Sequence, residues 1–108
     1  MTARDDRVGA VFQALADPTR REVVDRMSRS GPVTATELAA ELPVSRQAVA
    51  KHLQALADAG LVSASRDGRA VRYRLTPPPM RDAVSWMARV GGEWDERLEA
   101  LRRHLGSR

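Results

Sequence analysis

Six cations fall between Ser45 and Leu75: Arg46, Lys51, Arg66, Arg69, Arg72 and Arg74. Only Asp58 and Asp67 oppose them, so this stretch carries a net charge of +4, the formal charge of the whole 108-residue chain. Outside it, twelve cations meet twelve anions. Arginine offers a planar fork of donors that matches phosphate and guanine. The chemistry available here is therefore recognition of an anionic partner. A helix followed at once by a basic hairpin can put side chains into one groove of duplex DNA and arginines beside the next. Bond-making chemistry has no comparable support. No Ser/His/Asp or Cys/His set is present, His52 and His104 lie in no nucleophile or metal motif, and there is no phosphate loop. The absence of cysteine removes disulfides and thiolate metal sites. With 4% aromatic residues, a stacking platform for single strands is disfavoured.

These side chains must be positioned by the elements around them. A chain of 108 residues fits one domain with a modest core, which association between copies would help. Met1 to Asp6 is polar. From about Arg7, Val8, Val11, Phe12 and Leu15 recur at helical spacing. Asp17-Pro18 starts a second helix, with Asp17 as cap and Pro18 in the first turn, and Gly31-Pro32 stops it. Thr34 and Glu37 have the spacing of a capping box that opens a third helix with Leu38, Ala39 and Leu42 inside. Pro43 ends that helix, Ser45 caps a fourth, and Gly60 is placed to terminate it in the left-handed conformation. Residues 34–59 are thus a helix-turn-helix candidate, a pattern that ordinary helical hairpins share.

Residues 61–75 read as a β-hairpin. Asp67-Gly68 as the two-residue turn sets Arg66 opposite Arg69, Ala64 opposite Val71 and Val62 opposite Tyr73. Two arginines facing each other across a ribbon are destabilising unless they splay into solvent or a phosphate or the minor groove of DNA compensates them. Thr76-Pro77-Pro78-Pro79 then reads as a stiff break. From Met80 to Leu105, Val84, Met87, Gly91, Trp94, Leu98, Leu101 and Leu105 are spaced 3, 4, 3, 4, 3, 4, an unbroken heptad seam. A seam of that period needs a helical partner. Gly91-Gly92 within it predicts either a kink or a close approach by a bulky neighbour such as Trp94 of a second chain. No hydrophobic run is long enough to span a membrane, and the cytoplasm is the expected location.

The order helix, helix, helix-turn-helix, hairpin, long helix, together with ALADPTRREVVDRM (14–27), TELAAEL (36–42), SRQAVAKHLQALADAGLV (45–62) and RDGRAVRYRL (66–75), resembles the ArsR-type (ArsR/SmtB-like) winged helix-turn-helix transcriptional repressors. The likeness extends over about residues 7–105. It implies a mainly α fold with a small β-wing, α-α-α-α-β-β-α, in one domain over 1–108. Helices at 7–16 and 80–105 would form the dimer, through Val8, Val11, Phe12, Val84, Met87, Gly91, Trp94, Leu98 and Leu101. The partner would be double-stranded operator DNA. The implied contacts are Thr34, Thr36, Ser45, Arg46, Gln47, Ala48, Lys51 and His52 on the helix-turn-helix, and Arg66, Arg69 and Arg72 on the wing. Their chemistry suits the role. Gln47 can pair bidentately with adenine, Arg46 with guanine or phosphate, and Ala48 can meet a thymine methyl.

Many members of that family sense metals through thiolates near the start of the third helix. Here Thr34 and Thr36 occupy those positions, and only His104 stands near the family's second metal site. The expectation is a metal-independent dimeric repressor of its own or neighbouring genes, without cofactor. Its signal is either an apolar small molecule between the long helices, near Trp86, Met87, Gly91 and Trp94, or the protein's own abundance. The alternative from another class is a winged-helix protein-interaction module that reads no DNA sequence.

Overall fold

Capping chemistry places most helix ends in the computed structural model, which describes residues 3–106. Helix α1 spans Ala3–Leu15. It begins four residues before the expected start at Arg7, with Asp6 in a first turn where the helix dipole favours an anion. Met1 and Thr2 lie outside the described residues. Helix α2 (Pro18–Ser30) is capped by Asp17, whose carboxylate accepts the N–H groups of Thr19 at 2.8 Å and Arg20 at 3.1 Å. Helix α3 (Ala35–Glu41) carries the complete capping box. Thr34 Oγ1 accepts the Glu37 N–H at 3.1 Å, and Glu37 Oε1 accepts the Thr34 N–H at 2.9 Å.

Helix α4 (Arg46–Asp58) starts from Ser45, whose Oγ accepts the Ala48 N–H at 3.1 Å. It ends in a Schellman motif. Gly60 takes φ +78°, its N–H donates to the Ala57 carbonyl, and the Leu61 N–H donates to the Leu56 carbonyl, both at 2.9 Å. Leu56 and Leu61 are both buried, which turns the chain directly into the hairpin.

Strands β1 (Val62–Asp67) and β2 (Ala70–Leu75) pair antiparallel in a register two residues from the expected one. Arg66 faces Val71, Ala64 faces Tyr73 and Val62 faces Leu75. The loop is Gly68-Arg69, not Asp67-Gly68. Gly68 has φ +64° and no non-glycine residue among the described residues has positive φ, so only the first central position is left-handed, the pattern of a type II′ turn. A type I′ turn on Asp67-Gly68 would have forced Asp67 into that region as well. Arg66 and Arg69 are therefore not a cross-strand pair. A two-residue slip preserves the side-chain alternation, so Val62, Tyr73 and Leu75 still face the domain. Val33, at the α2–α3 junction, bridges Tyr73 with two backbone bonds of 2.8 and 3.0 Å and anchors the base of the hairpin.

The core draws on every helix: Val8, Val11 and Ala14 from α1, Val23 and Met27 from α2, Leu38 from α3, Val49, Leu53 and Leu56 from α4, and Ala83 from the last helix. That last helix, α5 (Pro77–Gly106), begins at the prolines themselves. Pro77, Pro78 and Pro79 fill the first turn, where a missing N–H breaks no intrahelical bond, so the expected break is a helix start. The helix runs unbroken through Gly91-Gly92. Its first half packs on α1, where Phe12 and Trp86 meet edge to face with centroids 5.6 Å apart. Its second half stands away from the core. The radius of gyration is therefore 18.5 Å, against about 13 Å for a compact domain of this length.

Candidate nucleic-acid interface

The period of α4 separates its two duties. Val49, Leu53 and Leu56 are buried against the core, and the opposite face exposes Arg46, Gln47, Ala50, Lys51 and Gln54. Gln47 and Lys51 form no ion pair or side-chain hydrogen bond among the described residues, so their donors face solvent. Helix α3 packs across α4 and brings its own N-terminus to the same side. A concavity of about 340 Å³ lies between α3, α4 and the wing, lined among others by Thr34, Thr36, Arg46 and Arg69. The structure thus gathers four of the expected contact residues, drawn from three elements, around one hollow.

Several of these residues already have work inside the chain. Thr34 and Ser45 are caps, as above. Thr36 Oγ1 accepts Arg46 Nε–H at 3.0 Å, which ties the first residue of α4 to α3. Ala48 is half-buried. His52, also half-buried, accepts a bond from Arg20 Nε–H at 3.4 Å through Nδ1, on the side of α4 turned to α2. That places its ring in the frame of the site, not on the outer face with Gln47. The Arg20 guanidinium also donates to the Ala14 carbonyl at 3.4 Å, so one side chain joins α1, α2 and α4. Sequence reasoning passed over Arg20, because neither partner lies at helical spacing from it.

The three wing arginines divide. Arg66 and Arg69 are exposed and form no ion pair among the described residues. Arg72 does not lie free on the wing as expected. Its Nε–H donates to Asp67 Oδ2 at 3.1 Å and its Nη1–H donates to Glu37 Oε1 at 3.3 Å. Glu37 was legible as a capping residue, but its arginine partner lies 35 residues further along the chain.

Two carboxyls at the site are held below their ordinary range. For Glu37 the cause is first the Thr34 backbone N–H, then the Thr34 hydroxyl, with Arg72 adding to both. For Asp17 the Arg20 N–H leads, opposed by partial desolvation and reinforced by the Thr19 N–H and by the charges of His52 and Arg20. Both are anions at neutral pH, which keeps both caps in their strong form.

The expected dimer residues also divide. Val8 and Val11, at 6% and 0% exposure, belong to the subunit's own core and have no surface left for a partner. Phe12 lies at the surface, with one edge on Trp86. Along α5, Val84, Met87, Trp94, Leu98 and Leu101 are 46–57% exposed. A Cβ built at Gly91 meets nothing within 4 Å, so no neighbour within the chain uses the space the glycine leaves.

A thiolate-type metal site does not fit these residues. Thr34 and Thr36 carry hydroxyls already engaged as a cap and as the acceptor for Arg46. No helix among the described residues is long and apolar enough to cross a membrane.

Comparison with known proteins agrees with this arrangement. The family model described as a helix-turn-helix domain matches residues 15–63. The transcriptional repressor SdpR of Bacillus subtilis is 32% identical, over 82% of this chain and 97% of its own length. The structure is similar to that of an ArsR-like transcriptional regulator from Rhodococcus, with 40% identity, coverage of 94% and 95% of the two chains, and a TM-score of 0.79. It is also similar to a homodimeric winged helix-turn-helix DNA-binding domain from Mycobacterium bovis, with 30% identity, coverage of 86% and 82%, and a TM-score of 0.62. With its capped helix pair, its basic wing and these likenesses over most of its length, the chain belongs to the ArsR-type family of winged helix-turn-helix DNA-binding transcriptional regulators.

Proposed function

We propose that this regulator is a homodimeric, metal-independent repressor that occupies an operator at its own or neighbouring genes. The observation that carries the reading is the row of half-exposed apolar residues along α5, with Gly91 open at its centre. A monomer would leave Trp94, Leu98, Leu101 and Leu105 in water, and this seam has the period that a second helix covers. Phe12 extends the seam onto α1. The homodimeric relative from Mycobacterium bovis supports the same assembly. Two copies would set their α4 helices about one DNA turn apart, roughly 34 Å.

In this arrangement Gln47 and Arg46 read base edges, and Lys51, Arg66 and Arg69 meet phosphates. The hydroxyls of Thr34, Thr36 and Ser45 keep a hydrogen each to donate to the backbone. Metal-independence rests on donor chemistry: the chain has no cysteine, and its two histidines, His52 and His104, stand on different elements. With the partner helix in the seam, an apolar effector near Trp86, Met87, Gly91 and Trp94 would act by competing with dimerisation. A DNA-binding protein with no membrane-crossing helix among its described residues suits the cytoplasm.

The test is a gel-shift titration on the promoter upstream of its own gene, beside an unrelated duplex, at physiological salt. The reading requires tight, sequence-dependent binding by a dimer. Micromolar binding indifferent to sequence would overturn it.

A further inference from the structure

A two-stranded hairpin is marginal on its own, and this one is tied to the domain chiefly at its base, through buried Val62 and the Val33–Tyr73 bridge. From Ser63 to Asp67 every residue of β1 is exposed. The angle of such a wing against the helix-turn-helix needs a second tie, and the structure holds one. Arg72 on β2 donates to Asp67 at the end of β1 and to Glu37 on α3. The Glu37 oxygen that receives it, Oε1, also accepts the Thr34 N–H of the capping box. One residue before Glu37, Thr36 holds Arg46 of α4. Two polar ties therefore meet at the start of α3, one from the wing through Arg72 to Glu37 and one from the recognition helix through Arg46 to Thr36, joined by the backbone between these neighbours.

We propose that Arg72 is a positioning residue, forming with Glu37 and Asp67 an ionic latch that sets the wing against the helix-turn-helix. Phosphate contact is left to Arg66 and Arg69. The proposal rests on the reading that the wing lies along DNA. Charge argues for it independently. Were Arg72 to leave for a phosphate, it would abandon two charge-assisted bonds. It would also leave the carboxylates of Glu37 and Asp67 unpaired beside a polyanion. Paired with both, it offsets one of the two negative charges and lessens that repulsion at the DNA-facing rim. Of the three side chains Arg72 is the most covered, 39% exposed against 56% for Glu37 and 70% for Asp67.

The two assignments predict opposite signs. Affinity for the operator duplex is measured between 50 and 200 mM salt, by fluorescence anisotropy, for wild type, Arg72→Gln, Glu37→Gln, their double variant and Arg69→Gln. Glutamine at position 37 keeps an acceptor for the Thr34 N–H, so the capping box survives. The latch requires Arg72→Gln and Glu37→Gln each to weaken binding about three- to tenfold, the scale of an exposed ion pair repeated in two wings. The double variant should be no weaker than the worse single one, and the salt slope should stay at its wild-type value. Arg69→Gln should flatten that slope by about 0.9 per wing. If instead Arg72→Gln flattens the slope, or Glu37→Gln binds more tightly because it frees Arg72, or the losses add, the latch is wrong. An unchanged slope in Arg69→Gln would count against the wing lying on DNA. In that event the latch is judged in the free protein by amide exchange of Ala70–Leu75. Faster exchange in both Arg72→Gln and Glu37→Gln is required, and unchanged protection refutes it.

Discussion

Leu98→Glu is the sharpest test of the proposed assembly, because its effect can be sized from the structure. Leu98 is 46% exposed in the single chain. Full burial of a leucine side chain is worth about 1.5–3 kcal/mol, so covering the exposed half contributes about 1 kcal/mol per copy and about 2 kcal/mol in a symmetric pair. Glutamate forfeits that gain and adds a carboxylate at the seam. Protonating it at pH 7 costs about 1.4 kcal/mol for each unit above its ordinary pKa of about 4.3, or nearly 4 kcal/mol per copy. Even if one of the two side chains escapes to the rim, the loss is about 5–6 kcal/mol, which weakens association by about four orders of magnitude. A nanomolar dimer would then dissociate at micromolar protein. Sedimentation velocity at about 1–10 μM reads this directly, with Glu96→Gln, on the outer side of the same helix, as the control. The second half of α5 has no other apolar support, so the monomer should also lose helical ellipticity. A Leu98→Glu protein that stays dimeric at these concentrations, with its helix content intact, would refute the α5 seam as the interface.

Other outcomes follow from the site and its frame. Gln47→Ala should relax base preference at one operator position and cost roughly 1–3 kcal/mol in binding, measured by competition among single-base variants of the duplex. Gly60→Ala places a side chain at φ +78° with its Cβ 3.4 Å from Pro79 Cγ. It should destabilise the fold by about 1–2 kcal/mol in a thermal melt, and an unchanged melting temperature would remove the Schellman argument. The depressed carboxyls of Asp17 and Glu37 stabilise the fold above their ordinary pKa values of 3.8 and 4.5. That contribution is lost as pH falls through their lowered folded values. Asp17→Asn keeps the cap acceptor but not its charge, so it should be less stable than wild type near pH 7 and lose less stability on acidification below about pH 4. Parallel acid unfolding curves would show that Asp17 contributes no such linkage.

How far the sequence reached depended on the range of the interaction. Helix starts at Asp17-Pro18, Thr34-x-x-Glu37 and Ser45, and the helix end at Gly60, were legible because a cap satisfies backbone groups within four residues of itself. The heptad along α5 and the exposed polar face of α4 were legible for a similar reason, since helical period alone sorts side chains into faces. The basic wing could be read from charge, and the alternation of its strands survived the register error.

Tertiary packing decided the rest. The slip of the hairpin depended on which residue could bear positive φ once Val33 had fixed Tyr73 at the base. Val8 and Val11 shared a helix face with Phe12, and only the packing of α1 showed that two of the three were already buried. The prolines after Thr76 read as a break until a helix began on them. Arg20 joins His52 across 32 residues, and Arg72 joins Glu37 across 35. No local pattern announces such pairs, since a long side chain's partner is set by how elements cross and not by spacing along the chain. The sequence by itself determined where the helices begin and which faces carry charge. The tertiary structure decided which of those charges stay exposed without an ion pair among the described residues and which hold the frame together.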